Sequence, residues 1–264
     1  MQESRRKDIR RTAAVVREKC KVSRYGIIDL FKECARLGYK LIRYPLGENA
    51  DLGFTIKKDQ DIVIFTNSSI RLSREIFTLA HELGHAVLHM EADSSFIDDS
   101  ITIADRSTDE REQEANYFAA CLRFFDLELS DIEKNGLTAI DIAKIMSEFN
   151  VSFDMALNRL DSLGKITGNQ KALLDCQRNK TRVGNLLKSA GGNARLNQAS
   201  EEIDIPFEYI DYVIYNYNHD AIPVETLEKV LECYQLSMDD ISDRLIEKKH
   251  EEDDLNDLIG GLED

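Results

Sequence analysis

Hydrophobic residues recur at a helical period at the start of the chain and at a strand period shortly after it. Within residues 1–24, apolar side chains recur every three or four positions, which predicts an amphipathic helix. A second helix is predicted over residues 26–37, ahead of a glycine suited to end it. Residues 40–44 and 54–57 alternate between apolar and polar, and residues 61–65 form an apolar run. These three segments predict a small β-sheet.

Helical patterns dominate the rest of the chain. Residues 73–90 and 109–125 each predict a long helix, and residues 91–110 between them are polar and acidic, as in a loop. Residues 137–166 have the apolar spacing of two short helices joined by a turn. Further helices are predicted over residues 194–245, where two prolines stand close to helix starts.

Changes in these patterns divide the chain into five predicted segments. We predict an α+β domain over residues 1–128, a small helix-turn-helix-like unit over residues 129–168, and a polar linker with a Gly-Gly pair over residues 169–193. A helical domain over residues 194–246 and an acidic tail over residues 247–264 follow. The tail has eight acidic residues against two lysines, a composition typical of disorder.

Composition and charge narrow the classes of function. The chain of 264 residues carries a formal charge of −15, which argues against non-specific binding of nucleic acid or membranes by its whole surface. No apolar run approaches the roughly 20 residues of a membrane helix, and the N-terminus has no signal-like stretch. The five cysteines are widely spaced, as expected for free thiols in a reducing compartment. We therefore expect a cytoplasmic protein without membrane contact.

One part of the predicted helix 73–90 has the spacing of a metal site. Residues 77–89 read Phe-Thr-Leu-Ala-His-Glu-Leu-Gly-His-Ala-Val-Leu-His and contain His81, Glu82 and His85. Positions i and i+4 share one helix face, so the two imidazoles can converge on a tetrahedral cation such as Zn²⁺. Glu82 is suited to take a proton from an attacking water and to deliver it to the leaving amine. The alternative is a structural histidine pair, and the complete His-Glu-x-x-His pattern argues against it.

A catalytic zinc takes a third protein ligand, which we expect from the predicted helix 109–125. Glu110, Glu112 and Glu114 compete for this role. The apolar positions of the helix place Glu112 close to the buried face, with Glu114 as second choice and Glu110 on the solvated face. His89 lies one more turn along the first helix, too far along its axis to share the metal, so we expect it to support the site or the fold.

Two motifs in this order resemble the ImmA/IrrE family of metallopeptidases. After the predicted strand pair, residues 74–89 read Arg-Glu-Ile-Phe-Thr-Leu-Ala-His-Glu-Leu-Gly-His-Ala-Val-Leu-His, and residues 112–120 read Glu-Gln-Glu-Ala-Asn-Tyr-Phe-Ala-Ala. The resemblance covers about residues 25–166. It implies an α+β fold with a zincin-like peptidase core, made of a small antiparallel or mixed sheet and the His-Glu-x-x-His helix. All-α helix-turn-helix-like domains follow this core.

The resemblance also implies roles for single residues. It makes His81, His85 and Glu112 the zinc ligands and Glu82 the catalytic acid and base. The family often continues into Leu-Met-Pro, where this chain reads Leu-Arg-Phe-Phe over residues 122–125, a difference expected at the substrate-side wall.

Known members of the family cut transcriptional repressors, often of the helix-turn-helix type, and thereby derepress mobile elements or stress genes. The resemblance therefore implies a zinc-dependent endopeptidase that acts as an anti-repressor on a helix-turn-helix repressor. The alternative is a non-catalytic transcription regulator that binds a repressor or DNA. The intact Glu82 favours the enzyme, because a purely structural metal site needs ligands but no base.

The C-terminal block resembles a degenerate repressor-type helix-turn-helix domain over residues 196–241. Its would-be recognition helix, residues 206–216, carries Glu208 and Asp211 and no basic residue. DNA readers need Lys and Arg for phosphates, so we expect residues 196–245 to contact a protein, or a second copy of this chain, rather than DNA.

Overall fold

The computed structural model of the protein describes residues 1–23, 26–58, 60–90, 95–98, 109–124 and 136–246. The chain divides into two compact units between Asp204 and Ile205, which we call the first and the second unit. The acidic tail predicted over residues 247–264 and the boundary predicted after residue 128 lie outside the described residues.

The first unit contains both strands and helices. Its strands are β1 (Val22–Ser23), β2 (Gly26–Ile27), β3 (Lys40–Tyr44), β4 (Gly53–Lys58), β5 (Asp61–Asn67) and β6 (Ser95–Asp98). Its helices are α1 (Glu3–Glu18), α2 (Leu30–Arg36), α3 (Leu72–Leu88), α4 (Glu110–Arg123), α5 (Ala139–Phe149), α6 (Phe153–Ser162), α7 (Gly168–Lys180) and α8 (Val183–Ser189). The predicted α+β class is confirmed.

A mixed four-stranded sheet underlies helix α3. Its strand order is β3-β5-β4-β6, with β3 parallel to β5 and the other pairs antiparallel. The three predicted strands are β3, β4 and β5, with β3 at one edge of the sheet and β6 at the other. Strand β6 falls in the segment predicted as a loop, because its four residues are too few to produce a period that stands out from their polar surroundings. Ile64 on β5 and Leu79 on α3 are fully buried in one core cluster.

Capping residues set where several helices begin and end. The helix predicted from residue 26 begins at Leu30, since the Asp29 side chain accepts a hydrogen bond from the Lys32 N–H and Gly26–Ile27 pair with β1 instead. Thr138 closes a capping box at the start of α5. Asn150 ends that helix in the left-handed conformation, with φ of 52°. The predicted helix–turn–helix over residues 137–166 is confirmed as α5 and α6.

The structure differs from the prediction of a linker over residues 169–193. This segment contains most of α7 and all of α8, and Leu174, Leu186 and Leu187 are buried against α5 and α6. The leucines stand in two adjacent pairs, Leu173-Leu174 and Leu186-Leu187, within a mostly polar sequence. Such pairs give a weak helical period, so tertiary packing rather than local pattern decides the structure here. The following residues are tied to the first unit as well, through hydrogen bonds such as that from the Arg43 N–H to the Asp204 carbonyl, 2.8 Å long.

Three buried arginines donate hydrogen bonds to backbone carbonyl groups at the C-terminal ends of α4 and α5. Arg17 donates to the Leu122 carbonyl at 3.2 Å, Arg123 to the Phe149 carbonyl at 2.7 Å, and Arg159 to the Phe124 carbonyl at 3.3 Å. Burial lowers the pKa of Arg123 to about 10. Leu122, Arg123 and Phe124, the described part of the segment expected at a substrate-side wall, are buried in the core, and that expectation stays a prediction.

The second unit is a small helical assembly. Helix α9 (Glu208–Asn218) and helix α10 (Val224–Cys233) are followed by a 3₁₀ turn, Asp239–Arg244. Its core consists of Ile210, Ile214, Leu227, Leu231 and Ile241. No helix in the described part of the chain is long and apolar enough to cross a membrane.

Candidate metal centre

Helices α3 and α4 approach each other closely at Gly84. A Cβ atom at this position would lie 3.1 Å from the Ala115 Cα and 3.1 Å from the Phe118 ring, tighter than ordinary van der Waals contact. The absence of a side chain at Gly84 therefore lets α4 lie against the histidine face of α3. This close approach brings a carboxylate of α4 within reach of two imidazoles of α3.

The structure brings together His81, His85 and Glu112. The Nε2 atoms of His81 and His85 are 3.0 Å apart, and each lies 3.3 Å from a different carboxylate oxygen of Glu112. Both histidines are fully buried and Glu112 is 8 % exposed. All three ligand atoms fall within 4.8 Å of one another, so this group could hold a metal ion.

The spacing and chemistry of these donors fit a tetrahedral zinc ion. Ligand atoms at roughly 2.0–2.2 Å from zinc lie about 3.3–3.6 Å apart, close to the distances between the His81, His85 and Glu112 atoms. Burial by itself raises the pKa of Glu112, but the adjacent imidazoles of His81 and His85 outweigh it and hold that pKa well below its ordinary range. The carboxylate is therefore ionised and ready to bind a cation.

Asn116 fixes the orientation of the first imidazole. Its side-chain oxygen lies 3.0 Å from His81 Nδ1. An amide oxygen can only accept, so His81 Nδ1 carries the hydrogen and the Nε2 lone pair points toward Glu112. Two hydrogen-bond acceptors, an imidazole nitrogen and a carboxylate oxygen, thus face each other across 3.3 Å. A proton on the imidazole nitrogen removes this repulsion and lowers the pKa of Glu112, and a metal ion bound at the same place would replace that proton.

Glu82 lies beside this cluster, with its carboxylate held by strand β4. Thr55 donates a hydrogen bond of 2.6 Å to Glu82 Oε2, and both side chains are fully buried. A Cβ at Gly53 would lie 3.1 Å from Glu82 Oε1 and only 2.6 Å from the Thr78 side chain. Gly53 therefore leaves the space in which the carboxylate sits.

The other two carboxylates of α4 lie elsewhere. Glu110 is exposed. Glu114 points to His89 and Arg5 instead of the two central imidazoles, and the bidentate Arg5 pair holds its pKa at about 2. His89 in turn contacts His85, at 3.1 Å between their Nδ1 atoms, and burial lowers the pKa of His89.

Sequence reasoning did not find Thr55, Gly53 or Asn116. Asn116 follows Glu112 by four positions on one helix, so the same i, i+4 rule that selects the histidine pair could have found it. Thr55 and Gly53 have no such signal, because their approach to Glu82 depends on how the sheet packs on α3. Local spacing therefore identifies partners on one helix and misses those on the sheet.

Comparison with known families agrees with this geometry. Residues 34–161 match the Peptidase_M78 family, described as the IrrE N-terminal-like domain. Residues 34–161 are therefore similar to a domain of that family, and the predicted resemblance to ImmA/IrrE proteins is confirmed for this part of the chain. The zincin-like core followed by a helical region is confirmed with it.

A phage protein resembles part of the chain. The "Uncharacterized immunity region protein 2" of Bacillus phage phi105 is 37 % identical over 87 residues. The match covers 33 % of this chain and 52 % of the phage protein, so the chain spans about half the length of that relative.

Proposed function

We propose that this protein is a zinc-dependent endopeptidase that cleaves a helix-turn-helix transcriptional repressor and so derepresses a mobile element or stress genes. The observation that carries the proposal is the buried group of His81, His85 and Glu112, together with the buried Glu82 that follows His81 on α3. The peptidase family of residues 34–161 supports the reaction class. The immunity-region relative supports a role in repressor control.

Each residue of the centre would have a distinct task. His81, His85 and Glu112 would hold zinc, which supplies Lewis-acid polarisation of the scissile carbonyl and of the attacking water. Glu82 accepts the proton of that water at its carboxylate and later delivers it to the leaving amine. Thr55 keeps the Glu82 carboxylate oriented through its hydrogen bond of 2.6 Å, so little reorganisation is needed during the proton transfer.

The rival function is a regulator that binds a repressor or DNA without cleaving it. Glu82 argues against this reading. A metal site used only for folding needs its ligands, whereas Glu82 is a fully buried carboxylate that is not one of them and that such a site does not require.

The Glu82→Gln variant tests the reaction. It keeps the size of the side chain but cannot accept a proton, so we expect cleavage of the repressor to fall by about 10²–10⁴-fold while zinc remains bound. Gel analysis of a candidate helix-turn-helix repressor incubated with the protein measures cleavage, and elemental analysis measures zinc. Cleavage by Glu82→Gln at the wild-type rate would refute the proposed mechanism.

We propose further that the second unit recognises the protein partner. Residues 205–246 contain nine acidic residues against two basic ones, and one of the two, Arg244, pairs with Asp211. Phosphates would be repelled by this surface. Helix α9 exposes Tyr212 and Tyr215, side chains that bury a large area at small entropic cost. A basic protein surface, such as the DNA-binding face of a repressor, complements it.

A trapping experiment tests this recognition. The Glu82→Gln protein should co-purify with intact repressor, and adding Tyr212→Ser and Tyr215→Ser should weaken that complex at least tenfold. Zinc content and thermal unfolding serve as controls, because both tyrosines are exposed and should leave them unchanged. Tight, sequence-selective binding of duplex DNA by the full chain at physiological salt would contradict the assignment.

A further inference from the structure

A chain of contacts leads from His85 to helix α1. His85 Nδ1 lies 3.1 Å from His89 Nδ1, and His89 Nε2 lies 3.0 Å from Glu114 Oε2. Arg5 donates to both oxygens of Glu114, at 2.7 Å from Nε and 2.5 Å from Nη2. The side chains of His89 and Glu114 are only 7 % and 15 % exposed, so water screens these contacts weakly.

The hydrogen positions along this chain follow from its ends. If His85 binds metal through Nε2, its hydrogen is on Nδ1 and is donated to His89 Nδ1. His89 then carries its own hydrogen on Nε2 and donates it to Glu114. Glu114 is an acceptor because Arg5 holds it ionised. Every hydrogen bond from Arg5 to His85 therefore has one donor and one acceptor.

We propose that His89 is a positioning residue that fixes the tautomer and ring orientation of the metal ligand His85, and that Arg5 and Glu114 hold His89 in that role. The proposal rests on the metal site of the proposed function. Outer hydrogen bonds to metal-bound histidines typically change metal affinity by 10–100-fold. Helix α1 thereby takes part in metal binding, although it contributes no ligand.

A purely structural link between α1 and α4 is the alternative, and the chain offers a matched control for it. Arg10 also lies on α1 and donates a hydrogen bond of 2.9 Å to the Tyr117 hydroxyl of α4. That contact joins the same two helices without touching His85, His89 or Glu114. A structural effect should appear in variants of Arg5 and Arg10 alike, whereas positioning should appear only for Arg5.

The test measures zinc affinity of the full chain by competition with a chromophoric chelator, together with thermal unfolding of the metal-free protein. We expect His89→Ala to weaken zinc binding by 10–100-fold. Arg5→Ala should weaken it in the same direction by a smaller factor, and Arg10→Ala should leave it unchanged. His89→Gln should restore part of the affinity, because its amide can accept from His85 and donate to Glu114. The visible spectrum of the cobalt-loaded protein should shift in His89→Ala.

The outcomes separate this inference from the proposed function. If the wild-type chain binds no zinc, the proposed metal site fails and the inference fails with it. If the wild type binds zinc and His89→Ala binds it equally well, the inference alone is overturned. Should His89→Ala not fold, Arg5→Ala decides, since the Arg5 side chain is 41 % exposed and its loss is tolerable to the fold. Equal zinc affinities of Arg5→Ala and Arg10→Ala would then overturn it.

Discussion

Helix α3 takes part in two buried polar clusters that differ in how their charges are compensated. In the first, Glu75 is surrounded by donors. Arg43 reaches its two oxygens at 2.8 and 3.0 Å, Thr66 donates at 3.1 Å and Ser200 at 3.0 Å. The Arg43 guanidinium also lies 3.8 Å from the centre of the Phe31 ring. This cluster is electrically complete without any additional ion.

The second cluster is two to three turns further along the same helix. There the Nε2 atoms of His81 and His85 lie 3.0 Å apart, and each lies 3.3 Å from the carboxylate of Glu112. Buried polar groups are normally matched with partners of opposite character. The comparison teaches that a cluster whose charges are matched by the protein serves the fold, while a buried group of converging acceptors is suited to hold a cation.

The largest effect on stability is expected from the complete cluster. Arg43→Ala leaves the buried Glu75 carboxylate without its cation, so the free energy of unfolding should fall by about 3–5 kcal/mol. Zinc affinity per folded molecule should stay the same, because Arg43 does not contact the histidines. Urea unfolding of the metal-free protein measures the loss.

Lys40→Ala is the control for this variant on the same strand. Lys40 pairs with Asp61 at 2.9 Å, but the Asp61 side chain is 53 % exposed. Its removal should cost at most about 1 kcal/mol. Equal losses for Lys40→Ala and Arg43→Ala would break the comparison, since the buried pair would then contribute no more than a surface pair.

The group of His81, His85 and Glu112 should instead stabilise the protein only when zinc is present. With free zinc at 100 times its dissociation constant, the wild-type free energy of unfolding should rise by about 2.7 kcal/mol. His85→Ala should lose this zinc-dependent gain, because a ligand is gone. His219→Ala, an exposed histidine on the second unit, should keep the gain. Calorimetry with and without zinc gives both values, and a full gain in His85→Ala would remove the basis for a metal site.

The smallest effect is expected from a change at Gly84, where α3, which carries His81 and His85, approaches α4, which carries Glu112. Gly84→Ala adds a methyl group 3.1 Å from α4, which costs about 1–3 kcal/mol of overpacking against a gain of about 1 kcal/mol in helix propensity. We expect a net loss of up to about 2 kcal/mol and weaker zinc binding, because α4 must shift with Glu112.

Gly184→Ala on α8 provides the matched control for that variant. A Cβ there would meet only the Asn197 side chain, at 3.8 Å, so this substitution should stabilise the protein by about 0.5–1 kcal/mol and leave zinc binding unchanged. A stabilised Gly84→Ala protein with normal zinc affinity would show that the close helix approach does not position Glu112.

Much of the centre could be predicted because its residues repeat along single helices. His81 and His85 share a helix face by their spacing, and the apolar pattern around them predicts that helix. Strands β3, β4 and β5 and the pair α5–α6 were predictable for the same reason. Their periods are strong enough to define structure before any packing is considered.

Other features depend on which elements come to lie together, and only the tertiary structure decided them. Local pattern left Glu112 and Glu114 competing, and the approach of α4 at Gly84 directs one to the histidines and the other to Arg5. Residues 169–193 look like a linker until their leucines pack on α5 and α6. The periodicity of a helix fixes neighbours three or four residues apart, whereas contacts such as Thr55 with Glu82 join residues far apart in sequence, and no local period encodes them.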